Sequence, residues 1–433
     1  MTNNKALNQS GNINKFAIGP HSTNDAFDIG PLCVDFRYYE NVLSNNVSAT
    51  ATIVDTGSMK KKGGIIDGLP IRGGERTDII LSDNLENELK FELYVNRLRN
   101  VNPETTKDTF FIDLASKEYF TNEQTRVTEK YSGKISDNVK NIVEKLLKSK
   151  IDKNNLDESS SKYNFYGNRK KPFYICTWLA SKSYPGKGIG GAAGFLFYQT
   201  RDGFNFKSID NIFKNKSRKK VLNIYFNQTQ VIPPGYDQGI LNYSIISDTE
   251  LDKNLALGTY NNKSIFFDFF AMRYIEVDYN INKQKKETAI AGNKFNFVAK
   301  EFTQTPSRYM FHVLDVGVNS DGKNTEEQLK NTKNNPTEPN FDAANTMVQS
   351  IMRYNQLFTI KIDVVIAGNF SVKAGDLVYC GFPKMEGSNT KDINEESSGF
   401  YMVSSVCHRI TPSDTYSSMS LVRDSYGIDR RES

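Results

Sequence analysis

Residues 358 to 367 read Phe-Thr-Ile-Lys-Ile-Asp-Val-Val-Ile-Ala, and this stretch decides the fold together with three similar runs that follow it. Apolar side chains stand at every second position: Phe358, Ile360, Ile362, Val364 and Ile366. A period of two turns one face of a strand to a core and the other to water or a neighbour. The runs at 372–380, 399–410 and 418–424 are also of β type, with turn residues between them. Such an antiparallel unit suits a closed barrel or a sheet-built tube, and it indicates an assembly part rather than an enzyme.

A second β unit is predicted near the other end of the chain, from Asp28 to about Lys130. Its predicted strands are 47–54, 76–81, 90–98 and 109–115, with a loop at 60–64 and a turn at Asn102-Pro103. Residues 1–24 are rich in Asn, Ser and Gly, which favours a flexible arm or an extended arm laid on a partner. With about four strands in each unit, an internal duplication is an open alternative, although no residue-level repeat is visible.

The middle of the chain has mixed character. An amphipathic helix is predicted at 136–150, a polar linker or exposed loop at 152–171, and a second helix at 172–183 with proline at its start. A hairpin follows, with Phe195–Tyr198 and Phe204–Lys207 joined through Asp202-Gly203. The remaining predictions are a strand at 219–231, a strongly aromatic stretch at 264–280, a polar loop at 318–340 and a short helix at 346–354.

Composition bounds the class of protein. A chain of 433 residues predicts two to four domains. Twenty-two tyrosines against one tryptophan indicate many half-buried, half-wet positions, as at subunit contacts. A net charge of +5 is close to balance and is not a nucleic-acid-binding signature. No run approaches the length of a membrane span, the N-terminus lacks the apolar core of a signal peptide, and the four scattered cysteines are typical of reduced thiols in a cytoplasmic protein.

Motifs that could carry chemistry are weak. Gly186, Gly188 and Gly191 match GxGxxG, but a helix precedes them and a strand follows, which is the inverse of the dinucleotide-binding context. The three histidines are His21, His312 and His408. The neighbours Cys407 and His408 lie on a predicted strand, where adjacent side chains point to opposite faces, so we interpret His408 as a sheet residue.

Acidic pairs and basic runs are interpreted as solvated surface. The pairs Glu86/Glu88 and Glu395/Glu396 lie in charged, loop-like stretches. The basic runs are 60–62, 169–171 and 218–220, and a contact with a partner or with passing nucleic acid stays open for them. We therefore assign no catalytic, cofactor-binding or metal-binding residue, and we expect no cofactor.

Four stretches resemble the baseplate hub of contractile-tailed phages of the T-even type, and most closely its relatives in marine cyanophages. They are Gly68–Glu75, Phe110–Val127 with the amphipathic helix after it, Lys171–Phe173 with Gly194–Ile209, and Phe358–Asp424 with its Ala374-Gly-Asp376, Gly399–Val403 and Leu421–Asp424 segments. The resemblance covers about residues 28 to 427. It rests on the order and spacing of the stretches taken together.

The resemblance implies a mixed β and α+β fold with two tube-type antiparallel β-barrels, a peripheral α/β domain and an inserted region. By analogy the first barrel is 25–130, the peripheral domain 131–216, the second barrel 217–255 joined to 353–427, and the inserted region 256–352, after an arm at 1–24. It also implies a homotrimer whose six similar domains match a sixfold tail tube above and a threefold spike below.

The partners implied by the resemblance are a second and third copy of the chain, the trimeric spike, the tail tube protein, baseplate wedge proteins and the tape-measure protein. Genome DNA would pass through the lumen without specific binding. The implied location is the tail baseplate of a virion assembled in the host cytoplasm. The alternatives are a tail-associated peptidoglycan hydrolase and the hub of a type VI secretion spike or of a non-contractile tail. We expect the side chains that face the lumen to be mostly polar.

Overall fold

The computed structural model describes residues 11–19, 26–57, 65, 71–104, 106–186, 191–227, 231–247, 250–269, 272–284, 288–295, 299–314, 343–384 and 393–428. The predicted loops at 60–64 and 318–340 lie outside the described residues. So do residues 1–10 and 20–24 of the predicted arm.

Strands dominate the described part of the chain. The strands of the first half are β1 (Asn12–Gly19), β2 (Phe27–Asp28), β3 (Cys33–Asn41), β4 (Ser48–Asp55), β5 (Arg76–Ser82), β6 (Glu88–Pro103), β7 (Asp108–Ala115), β8 (Lys130–Tyr131), β9 (Phe165–Tyr166), β10 (Phe195–Thr200) and β11 (Gly203–Ser208). Those of the second half are β12 (Leu222–Phe226), β13 (Gln238–Ser247), β14 (Asn261–Asp268), β15 (Arg273–Asn280), β16 (Lys294–Phe295), β17 (Arg308–Val313), β18 (Ile360–Ala367), β19 (Leu377–Gly381), β20 (Gly399–Ile410), β21 (Thr415–Arg423) and β22 (Ser425–Tyr426).

Helices are short and lie mainly between the two β-rich ends. The α-helices are α1 (Lys117–Gln124), α2 (Ile135–Lys145), α3 (Pro172–Ser181), α4 (Ile209–Lys214), α5 (Leu251–Ala256), α6 (Ile281–Gln284), α7 (Glu301–Gln304) and α8 (Ala343–Leu357). Short 3-10 turns lie at Gly30–Leu32, Lys153–Asn155 and Arg218–Lys220. Within the described residues, no helix is long and apolar enough to cross a membrane.

One sheet of thirteen strands organises the molecule, in the order β19-β12-β13-β18-β21-β20-β3-β4-β7-β6-β5-β1-β2. We call β1 to β7 the first unit, and β12, β13 and β18 to β21 the second unit. Each unit has its own apolar core. The first is built around Phe36 and Ile112, and the second around Ile362 and Met419.

The second unit closes on itself because β19 also pairs with β20, which gives a six-stranded barrel. The alternation that opened the sequence argument is present in β18, whose buried positions alternate with partly exposed ones up to Ile366. An antiparallel barrel was expected, and for one strand this is wrong. Strand β12 runs parallel to both β13 and β19.

The first unit is a hydrogen-bonded sheet of seven strands, in the order β3-β4-β7-β6-β5-β1-β2. Within the described residues no pairing joins its last strand back to β3, so its expected closure as a barrel stays a prediction. Residues 12–19, expected as part of a flexible arm, form β1 instead and pair along β5. Burial of Phe16 and Ile18 in the first core explains why this segment is ordered.

The middle of the chain forms a compact α/β unit with its own core around α2, α3 and the β10–β11 hairpin. The hairpin and both helices are confirmed, with α2 and α3 ending earlier than predicted. The segment at 152–171, expected as a linker, is packed into this unit. Ser159 is fully buried and its hydroxyl accepts the N–H of Ser136 at 2.9 Å, while Phe165 joins the core.

The region between β13 and β18 contains a three-stranded sheet in the order β15-β14-β17. The aromatic stretch at 264–280 supplies most of β14 and β15. One face of this sheet packs on α8 through Phe266, Tyr279, Met310 and Met352. The predicted helix at 346–354 is confirmed within the longer α8.

Candidate assembly surface

Strand β20 joins the two units because its two halves pair with different neighbours. Its first half, from Gly399 to Met402, pairs with β19 and closes the barrel. Its second half pairs with β3 of the first unit, from Ser405 opposite Asn41 to Ile410 opposite Phe36. A bulge between Val403 and Ser405 separates the halves. We call the β20–β3 pairing the seam, and it makes the two units one continuous sheet.

The outer face of this sheet is mostly polar on both sides of the seam. Paired positions along it carry the polar residues Asp363, Ser420, Ser405, Ser418, Arg409, Arg37, Asp35, Thr50, Asp113, Arg97 and Arg99. The same face also carries Val365, Cys407, Tyr39, Tyr416 and Phe111. The opposite face of the same strands carries the apolar cores. The alternation in the sequence thus separates a buried apolar side from a wide polar side.

Charges on this face form two clusters, each with one aspartate between two arginines. Asp35 lies at the seam, 2.7 Å from the Nη2 atom of Arg37 and 2.9 Å from the Nε atom of Arg409. Burial opposes ionisation of Asp35, but the hydrogen bonds from the two arginines lower its pKa overall. In the second cluster Asp113 accepts bonds from the Nε atoms of Arg97 at 2.6 Å and Arg99 at 2.7 Å.

These ion pairs do little for stability, since pairs on exposed faces contribute at most about 1 kcal/mol each. Arg97, for example, is 64% exposed. Their effect is on the character of the surface, because each carboxylate offsets arginine charge locally. The outer face is therefore strongly polar without being a patch of one sign.

The two units repeat each other in strand order. The series β3-β4-β7-β6-β5 in the first unit corresponds to β13-β18-β21-β20-β19 in the second. Both series have a hairpin at the same place, β6–β7 and β20–β21, and both have a bulge at the same point of it, between Val95 and Arg97 and between Val403 and Ser405. The topology therefore reveals the internal duplication that the sequence left open.

The repeat extends to the pairing of single residues. In the first unit, Thr50 of β4 lies opposite Arg37 of β3 on one side and Asp113 of β7 on the other. In the second unit, Asp363 of β18 lies opposite Ser244 of β13 and Ser420 of β21 in the same way. One step along β4 and β18, Ala49 lies opposite Leu114 and Tyr38, and Ile362 lies opposite Leu421 and Ile245.

The turn that precedes β5 in the first unit and β19 in the second unit is also duplicated. The N–H of Gly74 donates to the carbonyl of Val95 at 2.7 Å, and the N–H of Gly375 donates to that of Val403 at 2.8 Å. Both glycines have a φ of 87°, which favours glycine. The next residue is acidic in each case, and its carboxylate accepts backbone N–H groups of the turn: Arg72 and Gly73 for Glu75, Lys373 for Asp376.

A buried ion cluster connects the middle unit with the second β unit. Arg353 of α8 donates from Nε to Asp210 at 2.7 Å, from Nη1 to Asp424 at 2.6 Å and from Nη2 to the carbonyl of Ala289 at 2.8 Å. Burial opposes the charge of Arg353, but the two carboxylates raise its pKa. All of its partners are internal, so we interpret this cluster as a structural clamp.

The three-stranded sheet exposes an apolar face on the side away from α8. On this side Tyr274, Tyr309, Phe311 and Val313 are all more than half exposed. Their exposure is unusual for side chains of this size, although the same face also carries Lys263, which pairs with Glu276 and Asp278.

The residues singled out from the sequence do not come together as a site. His408 lies on β20 at the seam, as interpreted, and is fully buried. His312 lies on β17, and His21 lies outside the described residues. Cys33, Cys176 and Cys380 are buried and free. In the described part of the chain, no group of three or more His, Cys, Asp or Glu side chains could hold a metal ion.

The glycine loop and the charged pairs also carry no constellation. Residues 187–190 of the loop are outside the described part. Glu86 and Glu88 lie at the β5–β6 turn, where Glu88 pairs with Lys90 at 2.7 Å. Glu395 and Glu396 are exposed before β20.

The basic runs have intramolecular partners where they are described. Arg218 stacks 4.1 Å from the ring centroid of Tyr379, and Lys170 lies 5.5 Å from that of Tyr174. Lys171 pairs with Glu123. The run at 60–62 is not among the described residues.

Sequence reasoning missed the paired turns and Arg353. The signal for the turns was present, since residues 72–75 and 373–376 both read basic, small, glycine, acidic. The partners of Arg353 lie 143 and 71 residues away, and no local pattern announces them.

No protein-family model matches the chain, and no curated protein matches it. Its fold is similar to that of the tail protein from Neisseria meningitidis MC58, with a TM-score of 0.55 and 10% identity over 95% of this chain and 97% of that one. It is also similar to the 43 kDa tail protein of prophage MuSo2 from Shewanella oneidensis, with a TM-score of 0.50 and 10% identity over 95% of this chain and 98% of that one. The chain therefore has a tail-protein fold.

Proposed function

We propose that the chain is a structural protein of a phage tail baseplate, a homotrimeric hub of the contractile, T-even type. The observation that carries the proposal is the duplication, in which two units of the same strand order and register lie in one continuous sheet. Three chains with two like units each present six similar units. Such a ring matches a sixfold tail tube on one side and keeps true threefold symmetry for a spike on the other.

The polar outer face of the sheet is the channel wall in this proposal. Genome DNA and a tape-measure protein must pass along the wall without adhering to it. In this proposal the hydroxyls and the charges of both signs interrupt the apolar side chains and the arginines of the face, which limits the adhesion of a protein and of DNA. An apolar belt facing the lumen of the assembled ring would contradict this assignment.

The division of labour within the chain follows from the same proposal. In this proposal the first and second units form the ring. The expected barrel at 25–130, extended by β1, contains the first unit. The expected barrel at 217–255 with 353–427 contains the second unit. The peripheral domain at 131–216 and the inserted region at 256–352 lie outside the ring, where wedge proteins bind. In this proposal the protein acts by binding, and we assign it no catalytic, cofactor-binding or metal-binding residue.

Light scattering of the purified chain tests the proposal, alone and mixed with the candidate spike protein from the same genome. The chain mass is 49.0 kDa. If the chain trimerises alone, we expect a particle of about 147 kDa, because a C3 ring has three copies. If it trimerises only with the spike, we expect about 147 kDa plus the mass of the bound spike. A chain that stays monomeric in both samples would overturn the hub assignment.

A further inference from the structure

We propose that the seam is repeated between copies of the chain, with β6 of one copy pairing antiparallel to β13 of the next. This inference rests on the proposed function and names the contact that builds the ring. The occupant of each strand edge is therefore a second copy of this chain.

The two edges are open in the described structure. The first half of β6 pairs with β5 up to Tyr94, and beyond Val95 it pairs only with β7. The first part of β13 pairs with β12 up to Ile240, and beyond that it pairs only with β18. Among the described residues, no strand covers the outer edge of 97–103 or of 241–247. Open edges of this kind are templates for pairing with another chain.

The duplication says which edge fits which. In the seam, the second half of β20 pairs with β3. The counterpart of β20 is β6, and the counterpart of β3 is β13. A copy of the seam between chains therefore brings the second half of β6 against the second part of β13.

Burial at equivalent positions shows that a strand is missing from each edge. Tyr38 of β3 is fully buried because β20 covers it, whereas its equivalent Ile245 of β13 is 57% exposed. On the other side, His408 of β20 is 1% exposed, whereas Val101, in the corresponding part of β6, is 43% exposed. Ile246, the extra residue of the β13 bulge, is 49% exposed. The proposed pairing places these three apolar side chains together.

The polar side of the contact is also compatible. At the seam Arg409 lies opposite Arg37, and both bond Asp35. Asn102 lies opposite Thr109 in the β6–β7 hairpin, and Arg409 lies opposite Tyr416 in the β20–β21 hairpin. Because Thr109 and Tyr416 correspond to each other, Asn102 and Arg409 occupy equivalent positions. The equivalents of Arg37 and Asp35 are Ser244 and Asn242. The charged trio of the seam is thus replaced by neutral side chains, which leave no charge unpaired when the edges meet.

A disulfide between Asn102→Cys and Ser244→Cys tests the register, since residues directly opposite in an antiparallel pair lie close enough to be bridged. In the doubly substituted chain we expect linked dimers and trimers on a non-reducing gel, and their loss on reduction. Co-expression of the two single variants is expected to give linked dimers, because the two cysteines then come from different chains. Each single variant alone controls for the four native cysteines.

The matched control is Glu88→Cys with Ser244→Cys. Glu88 is exposed and lies on the same strand, but β5 already covers its edge, so no link is expected. A trimer by light scattering without the Asn102–Ser244 link would overturn the proposed contact and leave the hub assignment standing. Absence of any trimer would overturn the hub assignment itself. Linked products that continue beyond three copies would overturn the closed ring.

Discussion

His408 shows how a single side chain is held at the seam. Its Nε2 atom lies 3.1 Å from the carbonyl of Val372, so Nε2 carries the hydrogen, and Nδ1 accepts from the hydroxyl of Ser417 at 2.8 Å. Tyr38 stacks beside the ring and Phe370 meets it edge-on. Burial, aided by the charge of Arg201, lowers the pKa of His408 to about 3. The imidazole is therefore neutral in the folded protein.

We expect His408 to make the fold sensitive to acid. The unfolded chain binds a proton at this histidine below its ordinary pKa of 6.5, while the folded chain does not until about 3. The free energy of unfolding therefore falls as the pH drops through this window, by about 2 kcal/mol at pH 5. Thermal melting at pH 7.5 and pH 5 checks this in the wild type and in His408→Gln. The variant is less stable at pH 7.5, but its loss between the two pH values is smaller. An equal loss in both proteins would contradict the prediction.

Sequence reasoning at the residue scale was sound where local geometry decides. The placement of His408 on a strand followed from the alternation alone. The role of Arg353 could not be predicted, because an arginine is buried only when carboxylates from distant parts of the chain meet it.

At the scale of elements, the repeated turns at Gly74 and Gly375 lie before β5 and β19 and bond the backbone of the next strand of each unit, at Val95 of β6 and Val403 of β20. A side chain at Gly375 would meet two obstacles, a positive φ of 87° and the hydroxyl of Tyr198, which the added Cβ would overlap. Gly57 has a similar φ of 72°, but no atom lies within 4 Å of its added Cβ. A comparison of substitutions at Gly57 and Gly375 therefore separates the energetic cost of backbone strain from that of steric overlap.

We expect Gly57→Ala to cost about 1 kcal/mol, the cost of a left-handed residue with a Cβ. Gly375→Ala should cost about 1–3 kcal/mol more, because Tyr198 must move within a packed region. Chemical denaturation of both variants measures the difference. Equal losses in the two variants would show that Tyr198 gives way freely.

Elements with strict alternation were predictable, and elements defined by partners were not. The strand at 360–367 and the 195–208 hairpin follow from their patterns. The segment at 152–171 is polar, which suggested a linker, but Ser159 serves as a hydrogen-bond acceptor inside the fold. Hydropathy does not distinguish a polar residue in water from one that satisfies a buried N–H.

At the scale of the whole molecule, the shared strand β20 should make the two units unfold together. Ile112 and Met419 occupy equivalent buried positions in the two cores. Each change to alanine should cost about 2–5 kcal/mol. Because β20 belongs to both units, we expect Ile112→Ala and Met419→Ala to lower the midpoint of the same calorimetric transition.

The exposed residue Lys253 provides the control for this experiment, since it is 63% exposed and Lys253→Ala should leave the midpoint unchanged. Two separate transitions, each moved by only one of the core variants, would show that the seam does not couple the units.

The sequence left the duplication open because most equivalent positions share geometry rather than identity. Ile112 corresponds to Met419 and Thr50 to Asp363. A core accepts different apolar side chains of suitable volume, and a solvated face accepts any polar one. Identity survives at Leu114 and Leu421, but a single leucine pair is not a detectable repeat. The turn motif, with its positive φ and its backbone-binding carboxylate, is the clearest chemical trace.

The shared strand has a consequence for how the protein is made on the ribosome. Strand β3 emerges early, but the strand that covers its edge follows about 360 residues later, which at 5–20 residues per second is roughly 20–70 s of synthesis. Throughout that interval the nascent first unit carries an uncovered edge while neighbouring ribosomes on the same message produce identical ones. Nascent chains of this protein are thus exposed to mispairing with one another at that edge until β20 has been made.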